Sequence, residues 1–462
     1  PYTVSPLEGL RSALGPAVVV EHAPGVRTAT RVPPAELDLL AVPRTGEAGV
    51  RVRLLSAEGA VLLTERRRTA QLTWAGGFGP EIAPGTVATV EVVTSVTAPE
   101  TGRYAIGCSG LGRFRLAIDG VERFAEVLAP SPETDDIDAF VRLPQWSATV
   151  ALVAGQPVEL VLRHEVDPDG FQVKIEINVD QIVADPEAAL AEAVDLARSA
   201  DVAVVVVGTT EEVESEGFDR TSLRLPGRQD ELVSRVLDAN PRTVLVVNAG
   251  APVILPCADR VPAVLLTWFG GQEFGNALAD VLLGLAEPGG RLPVTWPADE
   301  PAWLPTTTPT GGVLSYRESI TIGYRLWDAV GAEPAFCFGH GLGYTTWDYL
   351  ALDLPAGPAA GGDVPVRVTV RNTGARPGRE VVQIYAARPG GTVQRPARWL
   401  VGFAPVRVDP GREATVEVTV AARGFEHWDT SAGAWATEPG VFELAAGRSV
   451  GDVRLRAALR RG

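Results

Sequence analysis

The stretch Asp201–Arg220 reads DVAVVVVGTTEEVESEGFDR. It opens on an unbroken apolar run, Val202 to Val207, made largely of β-branched side chains. Such a run fits a strand buried on both faces, as in a parallel sheet. Gly208 ends it, and the loop beyond carries Glu211, Glu212, Glu214 and Glu216. In open α/β sheets ligands bind beyond the carboxyl ends of the strands, which is where this loop must lie. One of these acids is therefore the first candidate for chemistry.

Outward from this stretch the period is helical. PEAALAEAVDLARSAD, before the run, has apolar residues at i, i+3 and i+4. LPGRQDELVSRVLDAN, after the loop, predicts a helix over 226–239, with Pro226 in its first turn and Asn240-Pro241 at its end. TVLVVNAG and AVLLTWFGG predict two more buried strands, and a helix after Gly271 should end near Gly284. This βαβα alternation predicts a mainly parallel sheet with helices on both sides. Near the start, an amphipathic helix over Pro6–Leu14 and a strand over Ala17–Glu21 read as an opening αβ unit of the same domain.

Between these parts the pattern is β. VRVRLL, TVATVEVVTSVTA, GRYAIGCSG, RFRLAIDG, VELVLRHEV and FQVKIEINV alternate, with turns such as Thr101-Gly102 and Asp119-Gly120. Regular short strands predict a sandwich or barrel. Its place between two α/β pieces reads as a domain inserted into a loop of another. Residues 297–345 read as a long wrapping connection. VPVRVTVRNTG, REVVQIYAAR, REATVEVTVA and VFELAAG then predict a sandwich of the immunoglobulin or fibronectin kind. The expected division is an α/β domain over 1–35 and 184–345, a β domain over 36–183, and a fibronectin-like domain over 346–462.

The formal charge of −16 argues against a nucleic-acid or anionic-membrane partner, since either wants a basic face. Lys174 is the sole lysine. Cys108, Cys257 and Cys337 are odd in number and far apart, so neither a disulfide framework nor a metal cluster is suggested. His22, His164, His340 and His427 are equally scattered, and no zinc or iron site is expected. No run is long and apolar enough for a membrane helix. The chain begins at Pro1 and has no Met, from which we expect that something upstream has been removed.

No Gly-x-Ser-x-Gly stands at a strand end, and Phe269-Gly270-Gly271 lacks both dinucleotide spacing and a Walker lysine. The acidic loop says more. Glycoside hydrolysis commonly needs two carboxyl groups, one donating a proton and one attacking or activating water. Glu216 precedes Gly217, which lets a substrate or neighbouring backbone approach, and Arg220 can orient nearby acids. The plainer reading is a solvated acidic loop on an acidic protein.

SEGFDRTSLRLPGRQDELV resembles the corresponding segment of the family-3 glycoside hydrolases, the β-glucosidase family. SPLEGLRSALG, VLVVNAGAPVILP, LLTWFGGQEFGNALADVLLGLAEPGGRLPVTWP and YRESITIGYRLWD resemble the rest of that family's second domain, in order. FCFGHGLGYTTWDY, VRNTGARPGREVVQIYAA, LVGFAPVRVDPG and FEHWD resemble its hinge and fibronectin-like domain. The inserted block, best at GRYAIGCSGLGRFRLAIDG, resembles a protective-antigen-14 domain carried by one branch.

The resemblance implies that Glu216 is the general acid/base, with Glu214 its nearest rival and Glu211 and Glu212 structural or solvated. It implies a retaining mechanism on terminal β-D-glucosides, with no metal or organic cofactor. The nucleophilic aspartate of the family lies in an N-terminal (β/α)8 barrel, for which this chain has no room. The chain alone is therefore expected to be inactive, with the barrel as its missing partner. Asp219 and Arg220 are expected to pair and support the loop. Trp268 and Phe269 are expected either to stack on sugar or to pack against the barrel. Trp74 and Phe78 of the insert are expected to reach the mouth of the site. Phe425, Trp428 and Trp435 read as fibronectin-domain core or interface, and His340 as structural. The family includes dimers, so a homodimer is compatible. The competing reading is a non-catalytic carbohydrate-binding or adhesin-type module, which leaves the intact SEGFDR loop unexplained.

Overall fold

A computed structural model describes residues 2–130, 142–168, 170, 172–183, 185–300, 309–356 and 361–462. Residues 301–308 of the expected wrapping connection lie outside the described residues.

The apolar runs form three parallel strands, Ala203–Gly208, Thr243–Asn248 and Ala263–Leu266, adjacent in that order. Two helices close one face. Pro186–Ser199 is capped by Asp185, whose carboxylate accepts from the backbone of Glu187 and Ala188 at 3.0 Å each. It packs with Gln229–Ala239 through Leu190, Val194, Leu232, Val233 and Val236 onto Val205, Val207, Leu245 and Val247. The second helix starts later than the expected 226, because Gly227 before it is left-handed at φ 67°. The expectation of a strand buried on both faces fails for Ala203–Gly208. It is an edge strand whose burial alternates, and Val206 on its outer side is exposed.

The opening helix, Pro6–Leu14, begins in a reciprocal cap: Ser5 and Glu8 bond each other's backbone N–H. It lies against the helix Phe274–Leu282 where two glycines meet. A Cβ on Gly9 would stand 2.1 Å from the Gly275 carbonyl oxygen, so only glycine permits this approach. The predicted strand over Ala17–Glu21 is not formed. Gly15 (φ 63°) and Pro16 turn the chain, no described strand offers it an edge, and Val19 is 86% exposed.

Residues 40–181 build two antiparallel sheets. One runs Val61–Arg67, Val50–Leu55, Thr89–Thr97, Pro157–Glu165, Gly112–Ile118, Val121–Leu128, with Leu40–Ala41 beside Thr89–Thr97. The other runs Gln71–Ala75, Gln172–Gln181, Gly102–Gly110, Gln145–Leu152. Alternate residues such as Val50, Val52, Leu54, Ile106, Cys108, Ile175 and Ile177 fill one shared core, the signature of a sandwich. Asp119 and Gly120 both take positive φ, as a two-residue hairpin turn requires. The chain enters and leaves side by side: Ala35 N–H donates to the Ile177 carbonyl at 2.8 Å and Val179 N–H to the Pro33 carbonyl at 3.2 Å. Arg27 and Asp180 pair at 2.6 Å just outside.

The last part is a second sandwich. Trp347–Asp353, Val364–Asn372 and Glu413–Val420 face Trp399–Val408, Gly378–Ala387, Gly440–Ser449 and Asp452–Arg461. Phe425 is wholly buried in its core, whereas Trp428 and Trp435 meet edge to face on an exposed hairpin. His340 is stacked on Phe336 in the connection, its pKa lowered first by burial and then by Arg448 and Arg291.

Glu380 locks this sandwich to the segment just before the connection, at Arg291. It is 0% exposed, and its carboxylate lies 2.9 Å from Arg291 Nη2 and 3.2 Å from Arg448 Nε. The same carboxylate accepts from the Val381 N–H at 2.8 Å. Removing one partner strands the others' charge in a dry site. Glu380→Ala should therefore lower unfolding stability by about 3–5 kcal/mol in urea titrations followed by near-ultraviolet circular dichroism. An unchanged midpoint would show that the two arginines find other partners.

Candidate active site

The acidic loop leaves the carboxyl end of the edge strand at Gly208. Gln229, buried at the start of the next helix, fixes that point. Its side chain accepts from the Gly208 N–H and donates to the Gly208 carbonyl, both at 2.8 Å. Its amide also donates to the Pro226 carbonyl at 2.9 Å. The loop itself has no helix or strand, so side-chain anchors give it shape.

Two of its four glutamates are anchors. Glu212 reaches back to the segment that leads into the first sandwich. Its Oε2 accepts from the Thr30 N–H at 2.9 Å and the Thr30 hydroxyl at 2.5 Å, and its Oε1 accepts from the Arg31 N–H at 2.9 Å. Burial pushes the Glu212 carboxyl up, but these bonds and the Arg31 charge outweigh it and hold the pKa below 4.5. Glu214 turns the other way, accepting from the Thr209 hydroxyl at 2.5 Å and the Gly250 N–H at 3.1 Å. A Cβ on Gly250 would lie 2.7 Å from the Phe269 ring and 2.9 Å from Glu214 Oε1, so a larger residue would have to displace both side chains.

Glu211 and Glu216 are exposed, and among the described residues neither carboxylate makes a hydrogen bond or ion pair. They face different surroundings. Glu211 lines a cleft of about 280 Å³ against the first sandwich, with Thr210, Glu212, Ser215, Arg142, Gln71 and Lys174 also on its walls. Glu216 is not on that wall. It sits between Ser215, whose hydroxyl accepts the Gly217 N–H at 3.2 Å, and Phe218, whose ring lies 4.3 Å from the Arg142 guanidinium.

The expected Asp219–Arg220 pair is not formed. Asp219 is exposed, while Arg220 turns inward and donates to the Pro252 carbonyl at 3.0 Å. Burial lowers the Arg220 pKa, with Glu214 and Glu300 opposing, and its Nε and Nη2 are buried without a hydrogen bond. Chain proximity suggested the Asp219 pairing; the arginine's own burial decides otherwise.

Trp268 and Phe269 end the third strand and part company. Trp268 takes a left-handed φ of 53° and meets the buried Trp296 at 6.3 Å between ring centroids. Phe269 turns outward over Gly250 and is 59% exposed. Of the two insert aromatics, Trp74 is only 8% exposed and belongs to the sandwich core, so it offers no face to a sugar. Phe78 packs on it at 5.5 Å and is partly buried. The correction was legible: Trp74 shares the parity of Leu72, and Gln71 and Thr73 take the outer side. Gln71, not Trp74, is the residue of this strand that borders the acidic loop.

Gln229, Gln71, Gln145, Thr30 and Arg142 were missed by sequence reading. All but Gln229 contact the loop or its cleft from far along the chain, and none carried a local signal beyond its polarity.

Glu212 binds its hydrogen-bond donors as a carboxylate, and its folded pKa is depressed. Its contribution to stability is thus full above the ordinary pKa near 4.5 and lost as pH falls through the lower folded value. Glu212→Gln should lower stability at pH 7, and the gap to wild type should narrow as pH falls below 4.5. Urea midpoints measured over this pH range check this; a gap independent of pH would exclude the carboxylate as its source.

Comparison with known proteins gives a consistent result. The model of the glycosyl hydrolase family 3 C-terminal domain matches residues 1–344, and that of a fibronectin type III-like domain matches 380–450. A β-glucosidase of Rhizobium radiobacter is 32% identical, over 99% of this chain and 56% of its own length. A probable β-glucosidase I of Aspergillus terreus is 34% identical, over 98% of this chain and 56% of its own. The crystal structure of a Kluyveromyces marxianus β-glucosidase in complex with glucose superposes with a TM-score of 0.89 at 25% identity. That superposition takes in 100% of this chain and 55% of the other. The chain spans about half the length of the curated relatives it matches. From its α/β part through its fibronectin-like sandwich, the chain belongs to glycosyl hydrolase family 3.

Proposed function

We propose that this chain is the portion of a retaining β-glucosidase that supplies the general acid/base, Glu216. The observation that carries the reading is the division of labour in the acidic loop. Glu212 and Glu214 are held by backbone and hydroxyl donors, whereas Glu211 and Glu216 are exposed and unbonded; Glu211 lines the cleft against the first sandwich and Glu216 does not. A group that must give and take a proton needs access to substrate and a carboxyl not already bound to other donors. The similar proteins are β-glucosidases, so the proposed substrate is a terminal β-D-glucoside.

The nucleophile in this reading is an aspartate on a (β/α)8 barrel outside the chain, brought to about 5–5.5 Å from Glu216 as retention requires. The glucoside would first be attacked by the aspartate while Glu216 protonates the departing oxygen. Glu216, now a carboxylate, would then take a proton from the water that releases glucose. Phe269, exposed beside the loop, is the proposed contact to sugar or barrel; Trp268 supports it from behind. Phe78 is the one insert aromatic retained as a contact near the mouth. We read residues 1–35 and 184–345 as one α/β domain, 36–183 as an inserted protective-antigen-14-like domain, and 346–462 as the fibronectin-like domain. Entry and exit of the first sandwich lying side by side supports that division.

The test is hydrolysis of 4-nitrophenyl β-D-glucoside by this chain and by a polypeptide restoring the upstream sequence. Activity should appear only in the longer form. Glu216→Gln should reduce it by about 10²–10⁴-fold. Azide should partly restore the mutant's turnover and yield glucosyl azide of retained configuration, because azide attacks the glycosyl-enzyme without a base. Full activity in the short chain would place the nucleophile within it. Silence in both, with glycan binding kept, would favour a binding module.

A further inference from the structure

Glu216 has no side-chain partner among the described residues, so its direction is set by the backbone that carries it. That backbone is gripped from outside the α/β domain. Arg142 precedes the first-sandwich strand Gln145–Leu152. Its Nη2 donates to the Glu212 carbonyl at 2.8 Å, four residues before Glu216. Its guanidinium also lies 4.3 Å from the centre of the Phe218 ring, two residues after Glu216. One planar cation thus holds both sides of the proposed acid.

The grip has a rigid base. Gln145 accepts from the Val32 N–H at 3.0 Å and donates to the Val32 carbonyl at 2.7 Å. Arg31 donates to the carbonyl of Leu143, the residue beside Arg142. The Arg31 N–H and Thr30 in turn hold the Glu212 carboxylate. Loop, entry segment and sandwich therefore close a ring of contacts, and Arg142 is the member that reaches across it to Phe218.

We propose that Arg142 is a positioning residue through which the first sandwich aims Glu216 at the leaving-group oxygen. The proposal rests on the reading of Glu216 as the acid/base. Arginine suits the task because its flat fork can stack on a ring and donate in its own plane at once, which a lysine cannot do. A misplacement of about 1 Å at a reacting group can cost about 10²-fold. The loss should fall on the proton-transfer step and spare steps that need no acid.

The experiment compares kcat/KM over a series of aryl β-D-glucosides of graded leaving-group acidity, using the polypeptide that includes the upstream sequence. Wild type, Arg142→Ala, Arg142→Lys, Phe218→Leu and Glu216→Gln are measured side by side. Arg142→Ala should lose about 10–10²-fold on unactivated phenyl glucosides and less than about threefold on 2,4-dinitrophenyl glucoside. Phe218→Leu should steepen the leaving-group dependence in the same direction, and Arg142→Lys should fall between wild type and Arg142→Ala. Thermal unfolding of each variant separates misfolding from misaiming: a folded Arg142→Ala with equal losses across the series would overturn the proposal. Should Arg142→Ala not fold, Phe218→Leu decides, and a flat series from it overturns the proposal equally. Glu216→Gln distinguishes the two levels. If it shows neither steep dependence nor azide rescue, the acid/base reading itself fails. If it shows both while the Arg142 and Phe218 variants stay flat, only the positioning role fails.

Discussion

Glu212 bonded to the backbone of Thr30 and Arg31 is the contact on which the site depends. A loop without secondary structure leaves its N–H and carbonyl groups to water and its path to chance. One carboxylate with three donors removes that freedom, because charge-assisted bonds are the strong ones. It also ties together two stretches some 180 positions apart, across the whole length of the first sandwich.

From that anchor the loop reads as an alternation. Residues 212, 214, 218 and 220 are each held: by the entry segment, by Thr209 and Gly250, by Arg142, and by Pro252. Residue 216 stands between them with nothing to hold it. Four glutamates in so short a span would repel one another if all were loose. Fixing two against N–H donors and placing Arg220 beside Glu214 lowers that repulsion while leaving Glu211 and Glu216 open.

Much of the fold was legible because burial follows period. Val202 to Val207, TVLVVN and AVLL read as strands and lie in strands from Ala203 on, and the alternation of VRVRLL and VPVRVTVRN reads as half-buried ones. What misled was the same rule applied without neighbours. Ala17–Glu21 has the composition of a strand but meets no ladder, and Ala203–Gly208 alternates because the two helices pack on the face carrying Val205 and Val207 and leave Val206 exposed. In the site, the four glutamates were visible and their division was not. Thr30, Gly250 and Arg142 give no sign in sequence of touching this loop. Parity along Gln71–Ala75 did carry the sign that Trp74 turns inward.

The paired ends of the first sandwich have a further meaning. Residues 33–35 and 177–179 run alongside each other, so the chain passes in and out through one doorway. A short turn joining Pro33 to Val179, which already hydrogen-bond to each other, would bypass the sandwich as a cassette and leave the order of the parallel strands intact. Removing the block in this way would take one deletion and one new turn. Such an event would not be neutral, since the partners of Glu212 and Phe218 stand on the doorposts and the lintel: the cassette is separable in topology and joined in chemistry.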